Sequence, residues 1–196
     1  MNLLVCTLGA SWAVVPEVFG FLAPDVLDLY ARHPRRSELD DLRLRHALAR
    51  PDELWIVTTE GEQTARSAAR LRAWWQSLGN PRPLRIWIAA GTDQLATQSE
   101  CDHIRELTLR VVMLAAERAR DGQLVLSLAG GRKTMSAVMP LVVGRGRRNE
   151  LLDIELDGRR VDSTAFPLAL ADPELRWPLP AAGAALAQEI DRRLLE

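Results

Sequence analysis

The sequence predicts an α/β fold: a Rossmann-like, mostly parallel sheet with helices on both faces, in a single domain over 1–196. Three observations predict it. Short apolar runs rich in strand formers, such as LLVCTL, ELWIVTT and LRIWIAA, alternate with segments whose apolar residues recur at helical spacing. Gly-containing turns separate the two kinds of segment. A chain of 196 residues with 47% apolar content buries one sizeable core and is short for two.

Residues 3 to 8 read as a first buried strand that Gly9 ends. After Ala10-Ser11-Trp12, residues Val15, Val18, Phe19 and Leu22 fall on one helical face, and Pro16 sits where a first turn tolerates it. Ala31 to Arg50 mixes six arginines with Glu38, Asp40 and Asp41; it reads as a solvated loop and short helix, with a basic flap over an anionic ligand as the alternative. Glu53 to Thr59 is the second strand. Glu60-Gly61-Glu62 opens a helix with Ala68, Leu71, Trp75 and Leu78 on one face, stopped by Gly79-Asn80-Pro81. Leu84 to Ala90 is a third strand of the same buried type.

Beyond Gly91, Thr97-x-x-Glu100 is a capping-box pattern that starts a long helix, with Ile104, Leu107, Val111, Leu114 and Arg118 as its stripe. Asp121-Gly122 ends it and Gln123 to Leu128 makes a fourth strand. Met135, Val138, Met139, Val142 and Val143 then repeat at helical spacing, with Pro140 kinking or shortening that helix. The C-terminal extension, 147–196, carries an alternating hairpin pattern from Leu152 through Asp157-Gly158 to Ser163, a proline-punctuated stretch, and a last amphipathic helix from Ala182 to Leu194.

Composition excludes several function classes. Basic and acidic residues nearly balance, 25 against 26, so no global charge marks a surface for long DNA or RNA, or for a membrane. Any anion site must be local. Two cysteines, Cys6 and Cys101, and three scattered histidines, His33, His46 and His103, suggest neither a disulfide framework nor a metal site. No window reaches the roughly 18 apolar residues of a membrane span, no basic leader precedes the first apolar run, and a reducing cytoplasm fits.

In an open parallel sheet, ligands sit beyond the carboxyl ends of the strands. Two loops stand out there: Thr7-Leu8-Gly9-Ala10-Ser11 and Ala129-Gly130-Gly131-Arg132-Lys133-Thr134. Glycines let backbone approach an anion, N–H groups at a helix start point toward it, and Arg132 and Lys133, the single lysine of the chain, add charge. Phosphate is the natural guest. Neither loop has the spacing of a P-loop or of GxGxxG. A tight helix turn with exposed charges remains the alternative for GGRKT, and an N-cap for Ser11.

TLGASWAVVPEV, ELWIVTTEG, IRELTL and SLAGGRKTM, taken in order over roughly residues 3 to 146, resemble the CRISPR-associated Rossmann fold (CARF) family, above all its small CARF-only members of type III CRISPR systems. The resemblance implies a homodimer whose loops after the first and fourth strands hold a cyclic oligoadenylate, cyclic tetra-adenylate first of all. Some members also cleave that ring without metal to linear products with 2′,3′-cyclic phosphate, and need no cofactor. On that reading Lys133 and Arg132 stabilise phosphoryl charge and Ser11 orients the ribose or phosphate. Thr7, Gly9, Ala10, Ala129, Gly130, Gly131 and Thr134 line the pocket, with Asp93 and Gln94 as further ligand-side residues. The fused ribonuclease signature, an Arg followed after four to six residues by a His, is absent from the sequence. A sensor that holds the ring uncut, and an enzyme for ordinary mononucleotides, are the other two readings.

Overall fold

The computed structural model describes residues 1–79, 82–127, 129–131 and 135. The expected helix beyond Met135, the hairpin and helix of the C-terminal extension, and the side chains of Arg132, Lys133 and Thr134 lie outside the described residues. Within them the order is β1 (Leu3–Leu8), α1 (Val14–Leu22), α2 (Arg36–Arg45), β2 (Glu53–Thr59), α3 (Glu62–Ser77), β3 (Leu84–Ala89), α4 (Gln98–Ala119) and β4 (Leu124–Ser127). The four strands form one sheet in the order β3-β2-β1-β4, and every pairing is parallel. This is the Rossmann-like arrangement expected from alternating strands and helices.

Period-two alternation in β1 and β2 divides the core between the two faces. Leu4, Cys6, Leu8, Leu54 and Ile56 pack with α1, α2 and α3. Leu3, Val5, Trp55 and Val57 pack with α4 and Met135. On the first face Phe19 meets Trp74 and Trp75 edge-on, with ring centroids 5.9 and 5.0 Å apart, which locks α1 onto α3. Cys6 is buried on this face, where desolvation pushes its thiol up to about 12 despite a hydrogen bond with Ser127, so it is an inert core group.

Two expectations need correction. Strand β3 is not of the buried type: Arg85 and Ile88 are exposed and only Ala89 is buried, because β3 takes the edge of the sheet and α4 covers only part of it. The buried stripe of α4 is Ile104, Thr108, Val111, Val112, Ala115 and Ala119, whereas Leu114 is 44% exposed. Small residues at 108, 115 and 119 let the helix lie close to the sheet, and that contact turns Leu114 outward. The start of α4 is as expected, since Thr97 Oγ1 accepts from Glu100 N–H and the Glu100 carboxylate accepts from Thr97 N–H.

The arginine-rich segment forms α2 and its flanks. Leu39 and Leu42 enter the core, and Arg43 lies over the Phe21 ring at 5.1 Å. Arg35, Arg36, Arg43 and Arg50 pair with Glu38, with Asp28 and Asp40, with Asp40, and with Asp25. The segment after α2 is tied to the amino ends of the strands: Ala49 N–H donates to Gln123 Oε1, Asn2 Nδ2 donates to Arg50 O, and Asp52 N–H donates to Asn2 O. A flap over the carboxyl ends is therefore not what these arginines build. Beside them, Glu53 at the start of β2 receives hydrogen bonds from Arg118, Trp55 Nε1 and Arg85. Burial opposes ionisation of Glu53, and those bonds outweigh it and hold the carboxyl below its ordinary range.

Candidate anion site at the switch point

Strand order decides where a ligand can enter. From β1 the chain winds one way to β2 and β3, and then returns to place β4 on the other side of β1. The crevice at this reversal lies beyond the carboxyl ends of β1 and β4, the place where open α/β sheets hold ligands. The two loops singled out in the sequence leave these two strands.

Their backbones are in contact. The Thr7 hydroxyl donates to the carbonyl of Gly130, a link across 123 residues. A Cβ added to Gly130 would overlap Thr7 O, and one added to Gly9 would lie 3.1 Å from Gly131 Cα. Gly131 has φ +84, in the left-handed region that favours glycine. Each glycine is therefore required by approach or conformation, and the approach brings the two loops to one point. Thr7 is fully buried and its hydroxyl is committed to Gly130, so its contribution is to join the loops. Gly9 and Gly130 are buried too, Ala129 is half-buried, and Ala10, Ser11 and Gly131 are exposed.

Ser11 is not the cap of α1. That position is Ala13, which has no side chain able to cap, and among the described residues Ser11 forms no hydrogen bond. The three helices that directly follow strands differ in this respect. Helix α3 begins after Gly61, where the carboxylate of Asp93 sits so close that a Cβ would collide with it. Helix α4 has Thr97 and Glu100. At the start of α1 no side chain caps the helix; Val15 N–H donates to Trp12 O, Pro16 has no N–H to offer, and Glu17 N–H donates to Ala13 O. Glu17 lies in its first turn but is 9% exposed, and burial pushes its carboxyl up to about 7, so it carries only part of a negative charge at neutral pH.

Asp93 and Gln94 sit one loop further along. Glu60 N–H donates to Thr92 O and Gly91 N–H donates to Glu60 Oε2, so the loops after β2 and β3 interlock with each other. Asp93 N–H donates to Glu100 Oε1 at 2.8 Å, and Gln94 Nε2 donates to Asp93 Oδ2 at 3.1 Å. These residues share the carboxyl edge of the sheet with the glycine loops, but their described contacts are with the β2 side. Among the described residues the edge is graded: carboxylates lie in the loops after β2 and β3, and none lies in the loops after β1 and β4.

One residue that holds the first loop escaped the sequence reading. Ser67, 3% exposed on α3, donates from its hydroxyl to Ala10 O at 2.5 Å and anchors the first loop from 57 residues away. Its only trace in the sequence is a serine on the buried side of an amphipathic helix. Among the described residues no group of three or more His, Cys, Asp or Glu side chains is placed to hold a metal ion, and no helix is long and apolar enough to cross a membrane.

No family model matches this chain, and no curated protein is significantly similar to it. Among solved structures, Enterococcus italicus Csm6 bound to cyclic hexa-2'-fluoro-hexa-dAMP is similar at 13% identity, over 72% of this chain and 30% of that one, with a TM-score of 0.42. The chain spans less than a third of that protein's length.

Proposed function

We propose that this chain is a CARF-type protein of a type III CRISPR system that binds cyclic oligoadenylate, cyclic tetra-adenylate first of all, in a pocket completed by a second copy. It cleaves the ring without metal to linear products with 2′,3′-cyclic phosphate and so switches the signal off. The observation that carries the reading is the meeting of the loops after β1 and β4 at the switch point, through Thr7–Gly130 and Gly9–Gly131. These are the two loops the family resemblance assigns to the ring.

The chemistry asked of the site is modest. A ring of four phosphates has a symmetry that a two-fold dimer matches, and two copies of Arg132 and Lys133 supply charge for it. Cleavage by a ribose 2′-hydroxyl needs that hydroxyl held in line with the scissile bond and charge stabilised on the phosphoryl oxygens. Ser11 is exposed and uncommitted among the described residues and suits the first task. Lys133 and Arg132 suit the second.

Incubation of the protein with cyclic tetra-adenylate and a chelator is expected to yield linear fragments ending in 2′,3′-cyclic phosphate, and Lys133→Ala to abolish them. Intact rings after hours at excess protein remove the enzymatic part.

A second reading, a sensor that holds the ring uncut, has its own observation. Neither loop contains a histidine or a carboxylate, the usual general acids and bases. Calorimetry that finds tight binding of a ring recovered whole favours the sensor. No binding of any ring size removes both readings.

A further inference from the structure

We infer that Ser67 and Thr7 are positioning residues that aim two backbone N–H groups, those of Ser11 and Gly131, outward as a paired donor for one phosphate. The inference rests on the reading of the switch point as an anion pocket, and it names the groups that grip the anion there.

Peptide geometry carries the step. In a trans peptide the carbonyl of one residue and the N–H of the next point in opposite directions across a rigid plane, and none of the described peptide bonds is cis. Ser67 holds the Ala10 carbonyl toward α3 at 2.5 Å. The N–H of Ser11, on the far side of the same plane, must then point away from α3. Thr7 holds the Gly130 carbonyl toward β1, and the N–H of Gly131 is directed away from β1 by the same constraint.

Burial follows this division. Thr7, Ser67 and Gly130 are buried, while Ser11 and Gly131 are exposed. Neither of these N–H groups donates to a described residue. A buried hydroxyl on each carbonyl and an open N–H behind it thus occur in both loops, and the loops touch at Gly9 and Gly131. Two free N–H donors on adjoining loops can bind a phosphate oxygen without any charged side chain. A fixed direction of the peptide plane, rather than a cation, would then place the ring before Arg132 and Lys133 engage it.

The test uses the full chain labelled with nitrogen-15 and inorganic sulfate, which stays dianionic across neutral pH and so brings no titration of its own. Sulfate is expected to shift the Ser11 and Gly131 amide signals in a saturable way. Ser67→Ala and Thr7→Val should each weaken that binding by about tenfold, the loss of one well-aimed charge-assisted hydrogen bond. Ser67→Thr and Thr7→Ser keep the hydroxyl and should restore binding to within about twofold, an outcome that a purely packing role does not produce, and they keep the test decisive should Thr7→Val fail to fold. Shifts confined to other amides, or Ser67→Ala binding sulfate as tightly as the parent, overturn the inference. A parallel titration with cyclic tetra-adenylate separates the two levels. Sulfate binding with no ring binding sinks the proposed function and leaves the donor pair standing, whereas ring binding indifferent to both hydroxyls does the reverse.

Discussion

Glu17→Gln is expected to stabilise this protein at pH 8 and to change little at pH 5. Glu17 is 9% exposed in the first turn of α1, the Tyr30 hydroxyl donates to its backbone carbonyl, and no described residue donates to its carboxylate. Desolvation raises its pKa from 4.5 to about 7. A folded pKa above the unfolded one means that the native state holds the proton longer. Stability tied to this proton is complete below about pH 4.5, declines as pH rises, and is gone above about 7. Raising the carboxyl from 4.5 to about 7 corresponds to about 3 kcal/mol, at about 1.36 kcal/mol per tenfold change in proton affinity. Glutamine is neutral at every pH and avoids the loss, so its advantage should grow from under about 1 kcal/mol at pH 5 to about 3 kcal/mol at pH 8. At this chain length that is roughly 6–12 °C in melting temperature. Thermal denaturation followed by circular dichroism, in both proteins and at both pH values, measures it. Taking the difference between the proteins cancels titrations they share. An equal melting temperature at pH 8, or a gap that does not change with pH, refutes the reasoning.

Three further outcomes are expected. Glu53→Gln should cost about 2 kcal/mol in urea denaturation at pH 7, since Arg118 and Arg85, each 43% exposed, recover part of their solvation when the carboxylate goes. Because its folded pKa is lowered, that contribution is present above the ordinary carboxylate range and fades as pH falls through it, so the two proteins should converge in acid. Gly131→Ala should lower stability by about 2–3 kcal/mol and Gly79→Ala by only about 1. Both positions have positive φ, +84 and +60, but a Cβ on Gly131 meets Thr7 at 3.0 Å and Met135 Sδ at 3.1 Å while one on Gly79 meets open space. Equal losses in thermal melts would deny the loop contact. Gly61→Ala should collide with Asp93, and adding Asp93→Ala should return at least about 1 kcal/mol, read as coupling in a double-mutant cycle.

Fold class was legible because it depends on local pattern. Apolar runs at 3 to 8 and 53 to 59 and helical stripes at 62 to 77 announce their elements whatever they pack against, and Thr97 with Glu100 writes the start of α4 in two residues. Exposure was less legible, since it depends on neighbours. LRIWIA reads as a buried strand, yet it lies at the sheet edge, and Leu114 fits the helical stripe as well as Val112 does but faces outward. The arginines of 31 to 50 carry charge that the sequence shows, whereas their carboxylate partners and their place at the amino ends of the strands belong to the tertiary structure.

The same division runs through the candidate site. By itself the sequence determined that two glycine-bearing strand-to-helix turns exist and that one carries Arg132 and Lys133, because residue type and spacing are properties of a short segment. Only the tertiary structure decided that these turns are neighbours. Their adjacency comes from β4 pairing with β1, a contact between residues more than a hundred positions apart that no local pattern encodes. It also decided that Asp93 packs against Gly61 at the start of α3, and that Ser67 and Thr7 hold the loop carbonyls. A hydroxyl's direction depends on which chain segments fold against it, and that is settled by packing rather than by sequence neighbours.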